Sequence, residues 1–130
     1  MFHYTVTVNK TVDEAVASLA ESLQKRQFGV LWQLDVPAKL QEKGVTDFQG
    51  PFRILEVCNP REAAQVLSTN LNVGYFLPCK IVVFEEQGTT KIGMPKPSFL
   101  MNVLGDERLQ ETAVRVEKVL QEAIDEVAAS

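Results

Sequence analysis

Sulfur and imidazole are scarce in this chain: two cysteines, Cys58 and Cys79, and a single histidine, His3, in 130 residues. One cysteine pair makes no disulfide framework, and a closed zinc site needs four nitrogen or sulfur ligands. Neither is expected within one copy of the chain. Clustered positive charge is also missing. Thirteen Lys and Arg are scattered among seventeen Asp and Glu, giving a net charge of −4. Nucleic-acid binding rests on grouped basic side chains that neutralise phosphates, so no nucleic-acid partner is expected. No apolar run approaches the roughly 20 residues of a membrane span, so no membrane partner is expected either. The opening MFHYTVTVNK lacks a basic patch followed by an apolar block and so does not read as a secretory signal. The cytoplasm, where thiols stay reduced, is the expected location. Gly29, Gly44, Gly50 and Gly74 stand isolated, which leaves no glycine-rich phosphate loop. Asp35, Asp47 and Glu56 are unpatterned. No residue set therefore compels a reaction class, and no cofactor is assigned.

What is present is an ordinary globular composition, 45% apolar and 23% charged, on a length that suits a single domain over residues 1–130. Phe2, Tyr4, Val6 and Val8 alternate with polar neighbours, the period of a half-buried strand. Thr11-Val12-Asp13-Glu14 matches a capping box. The apolar stripe that follows, through Val12, Ala15, Val16, Leu19 and Leu23, predicts an amphipathic helix. A second strand is read over 28–36, with Phe28, Val30, Trp32, Leu34 and Val36 on one face. Pro37 opens a short helix that Gly44 closes.

The stretch 50–86 reads as strand, helix, strand. The strand Phe52 to Cys58 carries Arg53 and Glu56 on opposite faces. Asn59 serves as N-cap and Pro60 as first helical residue. The strand Lys80 to Glu86 contains the run Ile81-Val82-Val83-Phe84, which suggests a central position buried on both sides. Gln87-Gly88 turns the chain into a hairpin partner over 89–94. After a short helical turn at 98–104, Asp106 caps a final helix with apolar positions from Leu109 to Val127. Asp125 and Glu126 oppose the dipole at its end, so its last turn should fray. The fold class is α+β: one sheet of about five strands with helices packed on one face, in the order β-α-β-(short α)-β-α-β-β-α. The first six main elements match the split βαβ order of ferredoxin-like folds.

The segments FGVLWQLDVPAKLQEKGV, FRILEVCNP and GYFLPCKIVVFEE resemble the family of domain of unknown function 302. The most specific parts are Cys58-Asn59-Pro60 and Leu77-Pro78-Cys79. The resemblance implies a small α+β domain, similar to a single decorated copy of the TATA-binding-protein-like fold, that forms a homodimer. It implies neither DNA binding nor an accepted activity, and it gives Cys58, Asn59, Pro60, Pro78 and Cys79 no roles.

The residues themselves point to the two thiols at element junctions. A reactive cysteine needs thiolate character from a helix N-terminus or a nearby cation. Cys58 precedes an N-cap, and Arg53 or Lys80 could add charge. A right-handed crossover would run the two flanking strands parallel and put Cys58 and Cys79 at opposite sheet edges. Trp32, Phe52, Tyr75, Phe76 and Met94 are candidates for an apolar pocket, with Tyr75 the least explained by core packing. The candidate ligand-binding residues are Cys58, Asn59, Pro60, Pro78, Cys79, Arg53 and Tyr75. The favoured reading is a non-enzymatic homodimeric module that binds a small molecule or senses redox state there. The alternatives are a purely structural or interaction domain, and an enzyme with Cys58 as nucleophile.

Overall fold

The computed structural model describes residues 1–130. Five strands, β1 (His3–Val8), β2 (Gly29–Asp35), β3 (Phe52–Cys58), β4 (Cys79–Glu86) and β5 (Thr89–Pro95), form one sheet in the order β1-β5-β4-β3-β2. Every neighbouring pair is antiparallel. The helices are α1 (Val12–Gln24), α2 (Val36–Glu42), α3 (Pro60–Thr69), α4 (Pro97–Leu104) and α5 (Gln110–Ala129). A 3-10 helix, Leu71–Phe76, links α3 to β4. The α+β class is as the element order implies.

Local chemistry starts these elements where the sequence signals them. Thr11 Oγ1 accepts from the Glu14 amide at 3.1 Å and Glu14 Oε1 from the Thr11 amide at 2.9 Å, a complete capping box on α1. Asn59 Oδ1 accepts from the Arg61 and Glu62 amides, opening α3 behind Pro60. Gln87 and Gly88 both take positive φ, 52° and 80°, the geometry that joins twisted antiparallel strands in two residues.

One sheet face carries the main core. Leu19 and Leu23 of α1, Leu120, Ala123 and Ile124 of α5, and Leu55, Ile81 and Ile92 of the sheet are all essentially inaccessible. A smaller cluster of Val66, Val73, Met101, Leu109 and Ala113 sits beneath α3 and α4. The two meet at the sheet end where β3 finishes and β4 begins.

Three expectations are overturned. β3 and β4 are antiparallel, with Val57 opposite Cys79, so Cys58 and Cys79 lie at the same sheet end. The helical connection between them returns beside β3 instead of crossing the sheet, and the handedness rule governs only crossovers to a parallel strand. Phe28 to Val36 does not keep one face. The register shifts between Val30, opposite Val57, and Trp32, opposite Glu56. This bulge at Leu31 turns Trp32 and Leu34 away from the helices. Finally, β4 is central but not buried on both sides: Ile81 and Val83 are fully covered, Val82 and Phe84 half-buried, and Lys80 exposed.

The end of α5 is also tied down where fraying is expected. Its carboxylates find partners on other elements. Asp125 accepts from the Tyr4 hydroxyl, and the hydrogen bond keeps the tyrosine proton on, raising the Tyr4 pKa. Glu126 lies 2.7 Å from Ser22 Oγ and pairs with Lys25 and Arg26 of α1. Those contacts, Ser22 first, hold the Glu126 carboxyl down from its ordinary 4.5 to about 2. A carboxylate depressed on folding stabilises the fold fully above its unfolded pKa and loses that contribution as pH falls through its folded one. Glu126→Gln should therefore lower the melting temperature at neutral pH, with the difference from the parent shrinking between about pH 4.5 and about 2. Thermal melts of the two proteins across that range check it; a gap that stays constant would remove the linkage.

Candidate functional site

Where the two clusters meet they do not merge, and a cavity of about 420 Å3 remains. Its floor is the end of the sheet, at Val57, Cys79 and Met94. Its walls are α3 at Ala63 and Val66, α4 at Leu100 and Met101, and α5 at Ala113 and Val116, while the 3-10 helix Leu71–Phe76 and Leu77-Pro78 form its rim. Sixteen of the 24 lining residues are hydrophobic, the composition and size expected of small-molecule sites.

Five of the seven candidate residues come together here: Cys58, Asn59, Pro78, Cys79 and Tyr75 all line the cavity. Tyr75 is 85% exposed at the rim, an aromatic ring with little protein packing to justify it. Two candidates lie elsewhere. Pro60 starts α3 with its side chain outside the lining and exposed. Arg53 is at the far end of β3, where it pairs with Asp13 and Asp35; five residues of strand put it about 17 Å from Cys58. Of the wider aromatic set, Phe76 and Met94 line the cavity, but Trp32 and Phe52 belong to the opposite sheet face. Sequence reasoning missed the contribution of α4 and α5, namely Leu100, Met101, Thr112 and Ala113. The one signal for them is the apolar run Phe99-Leu100-Met101 in a helix too short to need it for itself.

The electrostatics of the thiols are those of a greasy site. Burial pushes the Cys58 thiol up from its ordinary 9.0. Burial, and then the neighbouring Cys58, push Cys79 up to about 11. The thiolate-stabilising effect expected from the start of α3 is not what dominates. His3 shares a hydrogen bond with Thr5 at 2.9 Å and sits on β1, with β5 between it and β4, so no imidazole serves either thiol. No three His, Cys, Asp or Glu side chains converge as a metal site would require.

The charged rim groups are already engaged. At the same sheet end, on the face turned away from the helices, Lys80 Nζ is 3.4 Å from Glu56 Oε2. Arg115 holds Glu62 through two hydrogen bonds of 2.9 Å each, the planar two-point geometry suited to guanidinium and carboxylate. Asn59 Oδ1 is occupied by the α3 amides. Chemically the arrangement is suited to enclosing an apolar molecule, and its thiols are not activated toward the thiolate.

No curated protein matches the chain. Among solved structures, the crystal structure of an uncharacterised conserved DUF302 protein from Bacillus stearothermophilus is similar: 57% identity, 98% of each chain covered, TM-score 0.94. The family model described as domain of unknown function DUF302 matches residues 4–127. With that match running almost from end to end, the chain belongs to the DUF302 family.

Proposed function

We propose that the chain is a non-enzymatic homodimeric module that holds a small molecule in the cavity beside Cys58 and Cys79. The observation that carries the reading is the cavity itself. It is about 420 Å3 and mostly hydrocarbon, in a chain whose main core otherwise packs to full exclusion of water. Water against walls with so few polar partners is held loosely, so an apolar ligand gains by displacing it, which supports a binding role. The raised thiol pKa values weigh against redox sensing and against Cys58 as nucleophile, since both roles work through the thiolate. Reduced thiols suit the cytoplasm, where this reading puts the protein.

The homodimer rests on the sheet face that the helices leave bare. Trp32 and Leu34 of β2, Phe52 and Ile54 of β3, and Val82 and Phe84 of β4 lie on it together. Phe48 meets Phe52 edge to face at its margin, and no residue of the neighbouring α2 is buried. Five strands of this length present on the order of 500 Å2 in projection, within the range of the largest apolar patch on a typical monomer, a patch that is often functional. The face carries its charges as internal pairs, Glu56 with Lys80 and Glu86 with Lys91. Two copies can therefore meet there without like-charge repulsion despite a net −4 each, which favours a second copy as the occupant.

The cavity reading is tested with N-phenylnaphthylamine, an uncharged probe whose fluorescence rises on burial. The parent protein should bind it saturably. Ala63→Phe, which fills the cavity from its α3 wall, should weaken binding roughly tenfold or more, as expected where a binding volume is lost. Bound probe should also slow alkylation of Cys79. Equal binding by Ala63→Phe at unchanged thermal stability would place the probe elsewhere.

A further inference from the structure

We infer that the cavity selects an uncharged, largely hydrocarbon molecule of about a dozen non-hydrogen atoms, the lower end of pocket-sized ligands, and discriminates against carboxylates and amines. This rests on the ligand-binding reading above and sharpens it to a chemical class. Four observations converge. The lining is dominated by aliphatic side chains, thioethers and half-buried thiols. Both thiols are held in the neutral form at physiological pH by their surroundings, so they add no charge. The carboxylate on the cavity's side of the sheet, Glu62, already faces a cation within the protein, Arg115 at 2.9 Å, while the Glu56–Lys80 pair projects from the opposite sheet face. No buried side-chain nitrogen or oxygen anywhere in the chain lacks a hydrogen-bond partner.

The chemistry of selection follows. A ligand carboxylate entering here finds no free cation: Arg115 is held by Glu62, and the neutral donors left to it are the Asn59 amide and the Tyr75 hydroxyl. A ligand ammonium likewise has to break Arg115 from Glu62 to gain a carboxylate. In either case the ligand's charged head group gives up water against apolar walls without gaining an opposite charge, and a charge so placed costs more than in water. A hydrocarbon body pays no such penalty. It replaces water against Val57, Val66, Met94, Met101 and Val116, where water finds few polar partners and is held loosely. The exposed ring of Tyr75 stands at the mouth, where it can close over an apolar molecule.

The experiment is a competition series on the full chain near neutral pH. Octanol, octanoate and octylammonium, which share one alkyl chain and differ in head group, each displace N-phenylnaphthylamine. Octanol should displace it at a concentration roughly tenfold or more below either ion, the scale of an uncompensated polar contact. Octanoate or octylammonium matching or beating octanol, with the effect lost in Ala63→Phe, would overturn the selectivity while leaving the ligand cavity standing. A parent protein that binds neither the probe nor any of the three compounds would overturn both. Arg115→Met tests the cause. With Glu62 released from its partner, octylammonium should gain several-fold on octanol. An unchanged ratio would contradict the assignment of the discrimination to paired rim charges.

Discussion

Replacing Ile54 by Glu and Val82 by Lys together should convert the proposed homodimer into a folded monomer of 14.5 kDa. The two positions face each other across β3 and β4, on the sheet surface opposite the helices. In a free monomer the new side chains lie in solvent and form an opposed-charge cross-strand pair, which is neutral to mildly favourable for the sheet. In a dimer closed through this face they would be buried twice, once from each copy. Burial of charge in an interface built from apolar side chains costs about 3 kcal/mol or more, over a hundredfold in association. Sedimentation measures the mass, and circular dichroism with a thermal melt shows that the fold is intact. A variant that sediments as the parent does, whether both are dimers or both monomers, would remove this face from the account.

The largest expected loss of stability comes from Leu55→Ala. Leu55 lies mid-strand on β3, opposite Gln33 on β2 and Ile81 on β4, and is wholly inaccessible. Its side chain is held between the sheet and α1, within a cluster that also contains Leu19 and Leu23. Truncation removes the transfer energy of three carbons and leaves a void that paired strands on both sides cannot close. The cost should be about 2–5 kcal/mol, a large share of the 5–15 kcal/mol typical of a domain. The melting temperature should fall by roughly 10–20 °C. Val114→Ala is the control: Val114 is 56% exposed on α5, and its truncation should stay within about 0.5 kcal/mol. Similar losses in the two variants, read from chemical denaturation, would contradict the placement of the core.

The parts of this fold that were legible in the sequence are those fixed by short-range chemistry. Thr11 with Glu14, Asn59 with Pro60, and Gln87-Gly88 each carry their structural reason within four residues, and each does what its residue types predict. The apolar stripes of α1 and α5 likewise name the buried side chains Leu19, Leu23, Leu120 and Val127. What the pattern does not encode is pairing. A single inserted residue at Leu31 moves Trp32 to the other sheet face, yet the alternation of apolar residues through 28–36 looks uninterrupted. The polarity of β3 against β4 depends on where α3 and the 3-10 helix pack, and no local signal reports that. Asp125 and Glu126 look misplaced against their own helix dipole, yet Tyr4, Ser22, Lys25 and Arg26 supply partners from elements about a hundred residues earlier.

The candidate site divides in the same way. Cys58, Asn59, Pro78, Cys79 and Tyr75 cluster because the ends of β3 and β4 coincide, and their position beside element junctions was visible in advance. Arg53 shares a strand with Cys58 but sits at its opposite end, held by Asp13 and Asp35. Proximity along the chain misled there, because a strand carries its residues apart by about 3.3 Å each. The cavity walls from α4 and α5 come from residues 40 or more positions away from Cys58 in some cases, Met101 and Ala113 among them. The sequence marks these residues as apolar and gives no hint that they stop short of filling the space.

The account stands or falls on the cavity between the two apolar clusters. Its most direct test is to titrate isotopically labelled full-length protein with octanol and follow the amide and methyl resonances. Shifts should concentrate on Val57, Ala63, Val66, Val73, Met101, Ala113 and Val116, all of which line that space. Shifts confined to Trp32, Ile54 and Val82 on the bare sheet face, or no saturable shifts at all, would contradict it.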